Sequence, residues 1–292
     1  MRGNAAMHDL VAPGDLTAVL QLLAAEPGAW TPIAGGTELM VAFSAGRLAA
    51  TKLVSLWGIP DLRSIEATSQ SVIIGAAATF LDLRKNAVIS AELPLLAMAA
   101  SWIGSVANQG RATLGGNLVN GSPAADSSPA LLAYDAEIEI ISVRGRRRVP
   151  YSQFHTGYKR NVLSPDELLY AIHIPRRFAH HDRYLRKVGT RRAMAIAKVA
   201  LGATALREQG VIREIRLGAA SLTPFPTRLW QTEAALLGKA VTPETMRSAK
   251  RALLAEIKPI NDIRSTAEYR SRVAMNLLDE FLLSLRHGGL KL

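Results

Sequence analysis

Two glycine-paired segments carry the chemistry this chain can do. The first is Pro32-Ile33-Ala34-Gly35-Gly36-Thr37-Glu38-Leu39; the second, Thr113-Leu114-Gly115-Gly116-Asn117, runs on to Gly121-Ser122-Pro123-Ala124-Ala125-Asp126. Paired glycines let a backbone turn through positive φ and bring bare N–H groups close to a phosphate, an approach that a Cβ would obstruct. Thr37, Asn117 and Ser122 add side-chain donors, so the two segments read as two sides of one nucleotide cradle. Taken singly, a Gly-Gly also fits any sharp exit from a strand. Neither segment has the Gly-x-Gly-x-x-Gly spacing, and no Gly-Lys-Ser or Gly-Lys-Thr follows, which argues against a Rossmann dehydrogenase and a P-loop ATPase.

The elements that must hold these segments follow from capping and periodicity. Asp15 caps a helix with Leu16, Val19, Leu20, Leu22 and Leu23 at helical spacing, ending near Glu26-Pro27-Gly28. Residues 31–34 read as a short strand emptying into Gly35-Gly36, 39–43 as a helix and 52–56 as a strand. This is a small βαβ-like lobe with its turn at a strand's carboxyl end, where α/β folds bind ligands. Residues 56–175 read as a larger α+β lobe: a strand at 71–76, helices at 81–86 and 91–102, the second glycine segment, a loop at 120–129 and a short helix at 130–134. An alternating strand at 136–141 with a hairpin return at 146–149, and a strand at 168–174 closed by Pro175, complete it. A third lobe has three antiparallel strands, 183–189, 195–207 and 212–220, then helices at 227–237, 242–257 and 266–286. The expected division is a first domain at 1–175, with subdomains 1–55 and 56–175, and a second at 176–292.

Composition excludes several functions. The 292 residues, 49% hydrophobic and 20% charged, suffice for two or three buried lobes of an ordinary globular protein. No apolar run reaches membrane-spanning length and no signal-type core follows Met1, so the expected compartment is the cytoplasm. Cysteine is absent, which removes disulfides, thiolate nucleophiles, Cys-ligated iron–sulfur clusters and a cysteinyl flavin tether. The net charge of +11 invites a nucleic-acid reading, but the basic residues are scattered and only 5% of residues are aromatic. An acidic partner subunit or a dianionic dinucleotide accounts for the charge equally well. The six histidines have no spacing that compels a metal site.

Five blocks in order resemble the FAD-binding medium subunit of the molybdenum hydroxylases, the family of xanthine dehydrogenase and carbon monoxide dehydrogenase. They are residues 34–39, 113–118 and 122–131, then Leu163-Ser164-Pro165-Asp166-Glu167-Leu168-Leu169 and Arg191-Arg192-Ala193-Met194-Ala195-Ile196-Ala197-Lys198-Val199. The resemblance implies an α+β, PCMH-type (vanillyl-alcohol-oxidase-like) FAD-binding fold followed by a C-terminal domain of antiparallel sheet plus helices. It implies that Pro32, Ile33, Ala34, Gly35, Gly36, Thr37, Glu38 and Leu39 hold the FAD pyrophosphate, and that Thr113, Gly115, Gly116 and Asn117 close over it beside Ser122. It further implies that Asp126 accepts hydrogen bonds from the cofactor, that Leu169 and Ile103 touch the flavin end, and that Lys187 stands near the ring's electron-rich edge. A cation there would stabilise the reduced anion. Taken alone, Asp126 before two serines fits a helix cap, Ile103 a helix core and Lys187 a basic strand.

On this resemblance the chemistry belongs to non-covalent FAD, and no catalytic side chain or metal is needed. Molybdopterin and two 2Fe-2S clusters would sit on a large and a small partner subunit, and electrons would leave through FAD to NAD or another acceptor. Where animal xanthine dehydrogenases carry acidic residues after Arg191-Arg192, this chain has Ala193-Met194-Ala195, which leaves the acceptor open. A stand-alone FAD-dependent oxidoreductase and a basic nucleic-acid-binding module are the competing readings.

Overall fold

The computed structural model describes residues 3–286. The first lobe comprises β1 (Asp9–Val11), α1 (Leu16–Ala25), β2 (Trp30–Ile33), α2 (Leu39–Ser44) and β3 (Lys52–Ser55). Helix α1 starts where the Asp15 carboxylate accepts the Ala18 N–H at 2.8 Å, and it buries Val19 and Leu23 in a cluster with Val54 and Leu56. The three strands are parallel in the order β1-β3-β2, so the carboxyl ends of β2 and β3 open on one edge. Strand β1 is an addition to the sequence reading; its three residues are too few to show a period.

The second lobe follows: β4 (Ile65–Ala67), β5 (Ser71–Gly75), α3 (Phe80–Lys85), α4 (Ala87–Glu92), α5 (Pro94–Ser101), α6 (Val106–Gln109), α7 (Leu114–Asn120), α8 (Ser128–Ala133), β6 (Glu137–Ser142), β7 (Gly145–Pro150), β8 (His155–Gly157), β9 (Arg160–Asn161) and β10 (Leu168–Pro175). Five of the strands form an antiparallel sheet, β4-β5-β10-β6-β7. The single helix expected at 91–102 is interrupted at Leu93, which leaves the helical region (ψ 51°) because the Pro94 ring disfavours α geometry in the residue before it. Strand β6 alternates in sequence yet is buried from Ile138 onward. Glu139 is covered by His173 and by Arg146 at 3.0 Å.

The third lobe comprises β11 (Asp182–Val188), β12 (Val199–Glu208), β13 (Val211–Ala220), β14 (Thr227–Arg228), α9 (Trp230–Leu236), α10 (Pro243–Glu256) and α11 (Ala267–Arg286). Its antiparallel sheet has four strands, not three, because Thr227 and Arg228 pair with Ala219 and Gly218 instead of opening a helix. The apolar stripe of α11, including Leu277, Leu278, Phe281 and Leu282, packs with Tyr184, Leu201 and Leu217. This lobe is fixed to the second by Asp135, held at φ +49°, whose carboxylate accepts from Arg177 at 2.6 Å, from Arg216 at 2.7 Å and from Arg228. Thr204 adds a hydroxyl to the Ala133 carbonyl at 2.8 Å. Among the described residues no helix is long and apolar enough to cross a membrane.

Candidate functional site

The carboxyl end of β2 and the second lobe enclose a cleft of about 500 Å³. That is the size range of small-molecule sites. Pro32, residues 34–39, Ile103, Thr113, Gly115, Gly116, Asn117 and Leu169 all line it. Two segments 80 residues apart in sequence are thus brought to one wall-to-wall space.

The two glycine pairs do different work. In the first, Gly36 turns through φ +72°, and among the described residues the N–H groups of residues 34–38 find no acceptor. Consecutive free N–H groups at the carboxyl edge of a parallel sheet form an anion-binding concavity. Gly35 does not need positive φ. Its requirement is close approach, since a Cβ there would lie 1.8 Å from the Arg111 carbonyl oxygen. Ile33 lies beneath the turn, its Cδ1 3.4 Å from where a Gly36 Cβ would be.

The second pair corrects the expectation of a positive-φ turn. Gly115 and Gly116 lie in the first turn of α7, and neither has positive φ. Their N–H groups are already used: Gly115 donates to the Ala76 carbonyl at 2.8 Å and Gly116 to the Thr113 hydroxyl at 3.1 Å. Thr113 is the N-cap of α7, so its hydroxyl is an acceptor here. A Gly115 Cβ would meet Ala76 backbone and side chain at 2.7 Å, whereas a Gly116 Cβ would meet only the Thr113 hydroxyl. Gly115→Ala is therefore expected to lose about 1–3 kcal/mol of stability through overpacking, and Gly116→Ala less than about 1 kcal/mol. Thermal melts of the two variants check this; equal losses would refute the packing role of Gly115.

The opposite wall shows why some lining residues escape a sequence reading. Leu168 and Leu169 are consecutive in a strand yet both line the cleft, because the β10–β6 pairing shifts register between Leu169 and Ala171. A bulge of this kind re-aims a side chain. The adjoining turn is pinned by the buried Glu167 carboxylate, which accepts the Ser164 N–H at 2.8 Å and a forked pair from Arg147 at 2.6 and 2.8 Å. The Arg147 guanidinium holds Glu167 below the usual carboxylate range, so the turn stays ionically locked at neutral pH. Leu56, Leu62, Ala76 and Ala77 supply apolar wall; their types are those of any core, and no motif marks them. Glu38 reaches across to Lys159 at 3.4 Å.

Asp126 and Lys187 lie outside the lining of the cleft and meet each other. The Lys187 ammonium donates to Asp126 Oδ2 at 2.6 Å, joining the second lobe to β11, with both side chains about nine-tenths buried. Asp126 is not the cap of α8; that position belongs to Ser127. Its Oδ1 is buried and has no hydrogen-bond partner. Burial pushes the Asp126 carboxyl up to about 6, with the Lys187 charge pulling the other way. Ser122 caps a local turn through the Ala124 N–H at 3.3 Å. Among the described residues no cluster of histidines and carboxylates could hold a metal ion.

A run of free N–H groups on the wall of a largely apolar cleft suits a ligand with a diphosphate-like anion and an apolar body. Residues 5–177 match the family model for the FAD binding domain in molybdopterin dehydrogenase, and residues 184–285 match the CO dehydrogenase flavoprotein C-terminal domain. The xanthine dehydrogenase FAD-binding subunit of Escherichia coli O157:H7 is 32% identical over 257 residues, covering 87% of this chain and 88% of its own length. The carbon monoxide dehydrogenase medium chain of Hydrogenophaga pseudoflava is 29% identical over 256 residues, covering 86% and 87%. The solved carbon monoxide dehydrogenase structure from Hydrogenophaga pseudoflava superimposes with a TM-score of 0.93 at 27% identity, over 99% of this chain and 100% of that one. The chain belongs to the FAD-binding flavoprotein subunits of the molybdopterin dehydrogenases, the xanthine and carbon monoxide dehydrogenase family, and is thus an oxidoreductase subunit.

Proposed function

We propose that this chain is the electron-exit subunit of a molybdenum hydroxylase, taking electrons from a partner 2Fe-2S chain onto non-covalent FAD and passing them to NAD or another acceptor. The observation that carries the cofactor assignment is the set of unpaired N–H groups at 34–38, which gives a diphosphate its hydrogen bonds without displacing any the protein already makes. Thr37 adds a hydroxyl at the same turn. Ile103 and Leu169 present apolar surface to the ring system. When bound, FAD supplies the two-electron chemistry; the residues here bind, orient and shield it.

Non-covalent attachment is supported by the absence of cysteine from the chain and of histidine and tyrosine from the residues lining the cleft. Acid precipitation of the purified chain is expected to release all of its flavin into the supernatant; flavin retained on the precipitate would refute the assignment. The chain alone is expected to reduce an artificial dye with NADH at most weakly and to hydroxylate nothing. Purification together with a molybdopterin chain and a 2Fe-2S chain would separate this reading from a stand-alone flavoprotein.

A further inference from the structure

Ile263 is 97% exposed; Ile260 and Tyr269, three and six residues from it in the chain, are 67% and 43% exposed, and Ile196, two residues before Lys198, is 52% exposed. This exposure is built in. The Arg270 guanidinium, itself buried, donates to the Lys198 carbonyl at 2.5 Å, to the Ser221 carbonyl at 3.3 Å and to the Asp262 carboxylate at 2.8 Å. Asp262 in turn accepts the N–H groups of Arg264 and Ser265, at 2.9 and 3.0 Å, and Asn261 accepts that of Ala267 at 2.7 Å to open α11. The Lys198 ammonium stands 5.2 Å from the Tyr269 ring centre. One buried arginine therefore fixes the turn at 260–265, the start of α11 and the end of the loop at 189–198 as a single surface. An isoleucine held in water by so many bonds forgoes burial that a looser turn would recover.

The rim is basic. Apart from the buried Arg270, residues 189–198 and 258–272 contain Arg191, Arg192, Lys198, Lys258, Arg264 and Arg272 against only Asp262 and Glu268. Asp262 is engaged with Arg270 at 2.8 Å and faces Arg264 at 3.7 Å, and Glu268 faces Arg272 at 3.8 Å. A second copy of this chain would bring the same rim on a body of net charge +11, so self-association is opposed. The surface is also continuous with the strand that carries Lys187: the Lys198 N–H donates to the Val188 carbonyl at 2.7 Å, and Val199 pairs with Val188.

We propose that the face formed by Ile260, Ile263, Tyr269 and Ile196 docks a different protein subunit, one whose own face has an apolar centre ringed by carboxylates. The inference rests on the proposed function in that this partner is a subunit of the same oxidoreductase. Apolar contact at the centre supplies the persistence, and the opposed charges supply orientation and encounter rate.

The test is hydroxyl-radical footprinting of the FAD-loaded chain alone and in the complex isolated after co-expression with its partner chains. Ile260, Ile263 and Tyr269 are expected to be protected at least fivefold in the complex. Ile263→Glu and Arg264→Glu are each expected to weaken assembly tenfold or more at low salt, with the flavin content of the free chain unchanged. Unaltered footprints, an Ile263→Glu chain that assembles like wild type, failure of the wild-type chain to assemble at all, or a homodimer or anionic vesicle that covers Ile263 would each overturn the proposal. Flavin content of the free chain reads the cofactor assignment separately, so its loss is distinguishable from loss of docking.

Discussion

Gly35→Val is expected to fold and to be purified with less than about a tenth of the wild-type flavin. A Cβ at this position would lie 1.8 Å from the Arg111 carbonyl oxygen, which no rotamer change can relieve because the Cβ is fixed by its own backbone and the atom it meets is backbone. The turn must lift away from residues 111–112, and the free N–H groups at 34–38 are displaced with it. Gly36→Ala is the milder comparison. Its Cβ would meet only flexible side-chain atoms, the closest being Met40 Cγ at 3.3 Å, but φ +72° is strained for any L side chain. That strain is worth about 1–2 kcal/mol, hence an expected five- to thirtyfold weaker FAD affinity. Fluorescence titration of the apo-chains with FAD decides both. Wild-type affinity in Gly35→Val would remove the first glycine pair from the site.

The second large effect is expected at the pair of Asp126 and Lys187, and it has a definite sign. Burial raises the folded Asp126 pKa to about 6, above its ordinary unfolded value. Between the two values the folded state binds more protons than the unfolded one, so this carboxyl costs stability progressively as pH rises through that window, and the cost is complete above it. Relative to Asp126→Asn, the apo wild type is expected to lose roughly 2 kcal/mol between about pH 4 and pH 7. Paired denaturant melts at both pH values check it; a difference that is flat or rises with pH would refute the assignment.

The same pair changes what Lys187 can do to the bound cofactor. Read from its position alone, a lone cation would raise the potential. In the structure its charge is matched at 2.6 Å by Asp126. Removing the ammonium leaves a buried carboxylate that takes up a proton near neutral pH, so Lys187→Ala exchanges one neutral pair for one neutral group. The flavin midpoint potential of Lys187→Ala is accordingly expected to move little at pH 7, whereas Asp126→Asn, which leaves the ammonium uncompensated, is expected to raise it by tens of millivolts. Redox titration of the two variants distinguishes this from an independent lysine, for which Lys187→Ala alone would lower the potential.

The sequence by itself determined the elements whose causes lie within a few residues. Asp15 three residues before the Ala18 N–H, the apolar stripe of α11 and the exit of a short strand into Gly35-Gly36 are all local facts, and each is present where the chain chemistry places it. The ordered blocks that resemble the flavoprotein family were legible for the same reason: a ligand-binding turn needs particular residues in immediate succession. Tertiary structure alone decided which atoms remain available. Gly115 and Gly116 look like a phosphate turn in sequence, yet their N–H groups are used by Ala76 and Thr113. Gly35 is glycine because of a carbonyl 76 residues away, and Lys187 is neutralised by a carboxylate 61 residues away. Leu168 and Leu169 share a wall only because β10 slips its register against β6. Contacts of this range are fixed by how whole sheets and helices pack, and free energies of packing are carried by many residues at once, so no short stretch of sequence records them.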